Sequence, residues 1–423
     1  MNYRITKYAA YSANISMSVI ATLSPVLFST FNERYGISFG LLGLLVLVNF
    51  CTQLLIDLVF SFASHKFNIA LTVRIMPVLT VAGLFVYAFF PMLFPSSAYI
   101  WLVVGTIVFA ASSGLSEVLI SPVIAAIYPD NSEREMSKLH SVYAWGVVFV
   151  VIISSVVLNF IGKENWYYMV FGWMIIPVIS IILFSVSKLP PMTTPERTSG
   201  AISIFGNKTL VLCVLCIFFG GASECAMSQW SSGYIEQALA ISKLWGDIFG
   251  TAMFALMLGL GRTLYGIFGK RIYGILIGGS AGATVCYLVA ALTPLPIAGL
   301  VACALTGFFT SMLWPGSLIV VSEKFPNANV AVFALMAAGG DLGGSIAPQI
   351  TGIVADAVIS APNAAATAEK FGMTAEQLGM KAGILSCVIF PVLATLCFVL
   401  ALRSRKKRDA ALLSENKTPD ELL

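Results

Sequence analysis

The sequence predicts an all-α polytopic membrane protein whose twelve spans form two six-helix halves, with both termini in the cytoplasm. Three observations carry that expectation. Of 423 residues, 58% are hydrophobic and only 10% charged, with a mean hydropathy of +0.90, whereas soluble proteins carry about 25% charged residues. The apolar residues gather into twelve runs, each near the ~20 residues that cross a bilayer. The longest polar break, SKLPPMTTPERTSGAISIFGNK (Ser187–Lys208), divides those runs six and six, and its prolines, serines and threonines read as an exposed connector.

Taken in order, the first six spans cover about 8–30, 38–63, 69–92, 98–128, 137–160 and 166–187. The second six cover about 208–236, 244–267, 271–292, 296–323, 330–357 and 380–402. The expected units are therefore an N-terminal half (1–187), a connector (188–207), a C-terminal half (208–402) and a basic tail (403–423). MNYRITKYAAYSANIS has positive charge before an apolar run but no small-residue cleavage site, so it reads as a first membrane helix rather than a removed signal. The longest outer loop, Ala361–Ala382, reads as a short surface helix. A weak internal repeat agrees with two halves: span four exits as Tyr128-Pro129-Asp130-Asn131 and span ten as Phe325-Pro326-Asn327-Ala328.

Charge sets the orientation. With the N-terminus inside, only Arg34, Lys163, Lys243, Lys370 and Lys381 fall outside, leaving 19 of the 24 Lys and Arg on the inner side. The positive-inside rule then places both ends in the cytoplasm of a cell (inner or plasma) membrane. The net charge of +4 records loop and tail basicity, not nucleic-acid binding. Two histidines and eight scattered cysteines give no metal or redox constellation, and Cys213 and Cys216 read as core packing inside an apolar run. HExxH, GxSxG and P-loop patterns are absent, so neither an enzyme nor a cofactor is expected.

Four spans carry polar residues at helical spacing. Span two has Asn49, Gln53, Asp57 and Ser61; span four has Ser113, Glu117 and Ser121, followed by Pro122. Span seven has Glu224, Ser228 and Ser231, with Trp230 and Tyr234 on a neighbouring face; span eleven has Asp341, Ser345 and Gln349 among glycines and Pro348. A carboxylate in hydrocarbon costs a few kcal/mol unless it is protonated, paired or facing water, so four aligned stripes imply a shared polar interior. One such acid alone could be structural glue hydrogen-bonded to a neighbouring helix. Glu117, Glu224 and Asp341 fall near mid-membrane by helical rise, and Asp57 in the cytoplasmic third, where gating and coupling are both open to it.

No Lys or Arg reaches the central depth in this assignment, which argues against an anionic solute. Arg74 and Arg262 lie near inner helix ends, either as gate residues or as snorkelling side chains, and His140 at the inner start of span five is a further gate candidate. A carboxylate in a dry cavity can take a proton on one side and release it on the other, which suits proton coupling or a cationic solute. Tyr143, Trp230, Tyr234 and Trp314 can stack on a sugar ring, while Asn49, Gln53, Ser121, Ser228 and Gln349 can bond its hydroxyls.

At these residues the chain resembles the fucose/glucose–proton symporter branch of the major facilitator superfamily. The resemblance rests on Glu117 followed by Ser121-Pro122 (where that branch has Asn-Pro), Leu139-His140-Ser141 with Trp145-Gly146, and Gly221-Ala222-Ser223-Glu224 before Trp230. The superfamily's basic loop motif is nearly lost in SFASHKFNIALTVR after span two. A fair version survives after span eight in Gly261, Arg262, Gly266, Gly269, Lys270 and Arg271. The resemblance implies a proton-driven sugar importer with Glu117 as proton carrier; the replaced Asn leaves the sugar open. The expected function is thus proton-coupled import of a small neutral polar solute by a monomer, with solute, protons and the bilayer as its only partners. Proton-driven export of cationic or amphipathic compounds, and a non-transporting sensor or scaffold, are the alternatives.

Overall fold

A computed structural model of the chain describes residues 3–63, 66–128, 132–190, 207–268, 271–325 and 330–415. Twelve helical segments among these are long and apolar enough to cross a membrane. The first half comprises α1 (Arg4–Tyr35), α2 (Phe39–Ala63), α3 (Ile69–Leu93), α4 (Ala98–Ile127), α5 (Ser132–Ile161), α6 (Trp166–Trp173) and α7 (Ile175–Val186). The second comprises α8 (Lys208–Ala238), α9 (Lys243–Gly246), α10 (Met253–Phe268), α11 (Ile272–Leu292), α12 (Pro296–Thr310), α13 (Leu313–Lys324), α14 (Val330–Ile359), α15 (Ala364–Lys370), α16 (Ala375–Ser386) and α17 (Ile389–Glu415). Both chain ends emerge on one face, here the termini face; the other is the far face.

Four spans are interrupted, and prolines account for three of the breaks. A proline has no N–H to give the carbonyl four residues earlier. Pro177, Pro315 and Pro391 thereby free the carbonyls of Trp173, Ser311 and Cys387, and the helix breaks between α6 and α7, α12 and α13, and α16 and α17. At the first break Met174 N–H falls back on Val170 and Phe171. At the third, Phe390 N–H closes a tighter turn onto Cys387 at 3.1 Å. Met174-Ile175-Ile176-Pro177 and Val388-Ile389-Phe390-Pro391 occupy equivalent places in the sixth span of each half, an internal repeat that the sequence contains and the hydropathy reading passed over. The fourth interruption, in span eight, is a π-helical turn over Asp247–Ala252 between α9 and α10.

The halves share a boundary where α2 packs on α14, α1 on α8, and α5 on the π turn and α10. Inside the second half, glycines let helices approach to backbone contact. A Cβ at Gly343 would run into the carbonyl oxygen of Phe218, and one at Gly340 into the Trp314 ring, so α14 lies directly against α8 and α13. The Tyr128–Asn131 and Phe325–Ala328 repeat falls largely outside the described residues. Their first members match, however: Tyr128 N–H bonds Ile124 O at 3.2 Å and Phe325 N–H bonds Val321 O at 2.9 Å, each closing its helix with much the same non-helical backbone.

Two expectations change. The outer segment 361–382 is two helices broken at Gly372, whose φ of +66° suits glycine. The second of them, capped by Thr374 and Gln377 in a reciprocal capping box, already begins the last span. Its helix continues past residue 402 to Glu415, with Arg405 paired to Glu323 at 2.9 Å. The connector from 191 to 206 and the end of the tail lie outside the described residues.

Replacing Gly343 by leucine forces α14 off α8 and is expected to cost about 1–3 kcal/mol; thermal melting in detergent, with Gly259→Leu at an open glycine position as control, measures it.

Candidate functional site

Glu117 lies past the midpoint of α4 and is exposed, yet Asp57 from α2, Asp341 from α14 and Tyr143 from α5 are all near enough to interact with its charge. A side chain so surrounded faces a space between the halves, not lipid. Asp341 is 8% exposed and closes the C-terminal side of that space. Glu224 from α8 and Arg262 from α10 stand on the same wall, and Tyr143 lies within electrostatic reach of both as well as of Glu117. Four acids from four helices thus share one region with a single guanidinium.

That guanidinium corrects the sequence reading. Arg262 lies within α10, six residues before its end, and Nη2 reaches both carboxylate oxygens of Glu224 at 3.4 Å while Nε donates to the Ser311 carbonyl at 3.1 Å. Hydropathy placed Arg262 near the inner end of its span because it counts Cα depth, whereas the long side chain climbs back along α10 to the level of Glu224. The argument against anionic solutes therefore loses its premise.

The polar stripe on α2 fits the same space. Oδ1 of Asn49 and Oδ1 of Asp57 are buried acceptors that take no hydrogen bond among the described residues. Gln53 and Ser121 are partly exposed beside them. Other expected contacts sit elsewhere. Trp230 is completely buried, donates to the Pro348 carbonyl at 2.9 Å and packs on Phe28 at 4.9 Å and Phe39 at 5.9 Å, so it plugs the boundary between halves. Tyr234 is likewise buried, bonded to the Ala290 carbonyl within the second half. Neither presents surface to a solute in this conformation. Trp314 is half-buried over Gly221 and Gly340. Ser228 bonds back to the Cys225 carbonyl, and Gln349 Nε2 bridges to the Gly40 carbonyl at 3.1 Å. Arg74 does not bridge the halves: its Nε donates to Phe184 O at 3.4 Å, tying α3 to α7. The side chain of His140 is outside the described residues.

Toward the far face the halves are stitched by charges to which the sequence reading gave no site role. Lys163 holds Glu33 of its own half at 2.8 Å and Glu236 of the other at 2.6 Å. Lys243 continues the chain to Glu236 at 3.9 Å and to the fully buried Asp247 at 3.4 Å, and Ser155 and Ser232 both donate to Asp247. Asp356 on α14 accepts the free N–H groups of Phe39 and Gly40, capping α2 from the opposite half at 2.9 and 2.6 Å. Contacts between α2 and α14 continue inward to Phe50 beside Gly344. On the termini side, α4 packs on α1, α2, α3 and α5, and α13 on α8, α11 and α14, all within their own halves. Among the described residues the side-chain bonds that cross the boundary thus concentrate toward the far face.

Outside the spans, at the start of α5, Glu135 bridges Lys138 at 2.5 Å and Lys7 at 2.6 Å. These hydrogen bonds, from Lys138 first and Lys7 second, hold its carboxyl down at about 2.

Acids gathered at the boundary of two six-helix halves that are bonded together toward the far face suit a membrane transporter, and the family match makes the chain one rather than an enzyme. The chain belongs to the Major Facilitator Superfamily, whose sequence profile matches residues 9–348. Comparison with curated proteins finds no match. Among solved structures it is similar to a D-xylose–proton symporter (16% identity, TM-score 0.75, 95% of this chain and 97% of that one). It is also similar to a bacterial homologue of the human lysosomal transporter Spinster in an inward-facing, occupied conformation (16%, 0.73, 95% and 97%). A third is a variant of the nucleoside transporter NupG (11%, 0.70, 94% and 99%). At these identities the likeness speaks to the fold.

Two outcomes are expected. Lys163→Glu breaks the far-face stitch, so a cysteine placed at buried Ser29 becomes severalfold more reactive to an impermeant maleimide; adding Glu236→Lys recovers part of the protection. For Glu135 the folded pKa is depressed, so its stabilisation is complete above the ordinary value of about 4.3 and is lost only as pH falls through about 2. Glu135 is then fully ionised between pH 5 and 8, and Glu135→Gln leaves the shape of a transport-rate pH profile over that range unchanged.

Proposed function

We propose that the protein is a proton-coupled carrier that takes up a small neutral polar solute, a monosaccharide being the leading class, by alternating access. The single observation that carries this is the convergence of Asp57, Glu117, Glu224 and Asp341 from four helices on one space between the halves. Acids in such a place can load a proton from one side and release it to the other as the halves rock. The orphaned acceptors of Asn49 and Asp57 suit a solute rich in hydroxyls, since each lacks a donor among the described residues. The excess of Lys and Arg at the termini face supports a cytoplasmic placement of both ends in a cell membrane, and the structure is then the inward-facing state of a monomeric carrier. Glu117 is the proton carrier in this reading because it is exposed and lies within electrostatic reach of an acid from each half, Asp57 and Asp341.

The same excess of acids favours a second reading, export of a cationic compound. Proteoliposomes distinguish the two. Uptake of labelled monosaccharides driven by an inward proton gradient, lost in Glu117→Gln while exchange between preloaded solutes persists, supports the importer. Proton-driven efflux of a lipophilic cation, with no uptake of any sugar, overturns it.

A further inference from the structure

We propose that Arg262 is a solute-binding residue whose availability is set by Glu224, so that a proton on Glu224 exchanges a protein partner of the guanidinium for the solute. This rests on the proton-coupled reading above and adds to it a recognition group that holds two adjacent oxygens of the solute, such as vicinal hydroxyls.

Gly261 lets α10 touch the end of α12: a Cβ there would strike the Ser311 side chain and lie 3.1 Å from the Phe308 carbonyl. Pro315 leaves the Ser311 carbonyl without its helical donor. The residue next to Gly261 supplies one, for Arg262 Nε donates to that oxygen at 3.1 Å. The arginine is thus anchored by Nε at a helix break, with its fork extended toward α8. One arm, Nη2, straddles the two oxygens of Glu224 at 3.4 Å each, long for a charge-assisted bond. The other arm, Nη1, makes no hydrogen bond among the described residues, and the side chain is 43% exposed. A planar fork fixed at Nε, loosely held on one arm and open on the other is arranged for two neighbouring acceptors.

Glu224 is the natural control. The charged and titratable groups facing it are Arg262 from α10, Tyr143 from α5 and its own neighbour Cys225, which also feels Asp341 from α14; Glu117 lies beyond Tyr143. Ionised, Glu224 holds Nη2. Protonated, it has no charge to hold it, and the guanidinium turns to the solute. One proton taken up on Glu224 accompanies one neutral solute bound, and both leave when the site opens to the side of lower proton activity.

Two measurements on the full-length protein in proteoliposomes test this. The first needs no solute: phenylglyoxal modification of Arg262, followed by peptide mass spectrometry at one pH, in wild type, Glu224→Gln and Glu117→Gln. Faster modification in Glu224→Gln by severalfold, with Arg74 unchanged and Glu117→Gln like wild type, supports control by Glu224; equal rates in all three overturn it. The second uses D-glucose and D-xylose counterflow. Arg262→Lys, which keeps the charge and loses the fork, is expected to raise KM roughly tenfold to a hundredfold with little change in maximal rate. Glu224→Gln is expected to flatten the pH dependence of KM. An unchanged KM in Arg262→Lys overturns the assignment. Absence of counterflow for every sugar sinks the importer reading instead, while the modification rates still decide the Glu224–Arg262 link.

Discussion

Everything in this molecule follows from the cost of leaving an ionised group against hydrocarbon. A carboxylate or guanidinium at mid-span must find a partner, a proton or water. With Asp57, Glu117, Glu224 and Asp341 on four different helices, one solution serves all of them: turn every acid toward one shared space and leave the outer surface apolar. That space cannot lie inside either six-helix half, where the helices pack closely through glycines such as Gly340 and Gly343. It lies between the halves, the one boundary that can also move.

The breaks in the helices serve this arrangement. A proline in a membrane helix frees a carbonyl that must be satisfied locally. At Cys387 the chain does so with a tightened turn from Phe390 N–H, and at the equivalent break in span six Met174 N–H bonds back to Val170 and Phe171. At Ser311 the carbonyl recruits Arg262 across from another helix, and the break becomes part of the site. The π turn at Asp247–Ala252 has a similar double use, widening span eight where a buried aspartate meets Ser155 of the other half.

Much of this was legible in the sequence. Twelve runs, the division into halves and the polar stripes on α2, α4, α8 and α14 follow from hydropathy and a 3.6-residue period, because both report which face of a helix avoids lipid. Those signals do not report how far a long side chain reaches, so Arg262 was placed by its Cα and its partnership with Glu224 was missed. Nor do they separate aromatic rings that line a cavity from rings that plug a boundary. Trp230 and Tyr234 stand beside a polar stripe, and only the packing of Phe28 and Phe39 and the bond to Ala290 show them enclosed. The far-face bonds were missed because their partners are remote in sequence: Lys163 meets Glu236, and Asp356 meets the Phe39 and Gly40 amides, only across the boundary of the folded halves.

Asp356 has one more consequence. The first amides of α2 are capped by a side chain from the other half, so helix capping here depends on the conformation of the whole carrier. Swinging the far side apart strips that cap and hands the Phe39 and Gly40 amides to water. A lost cap is worth about 1 kcal/mol, or roughly fivefold in population. On the alternating-access reading proposed above, the cap is thus a weak spring across the boundary, stretched whenever the far side opens and relaxed whenever it closes.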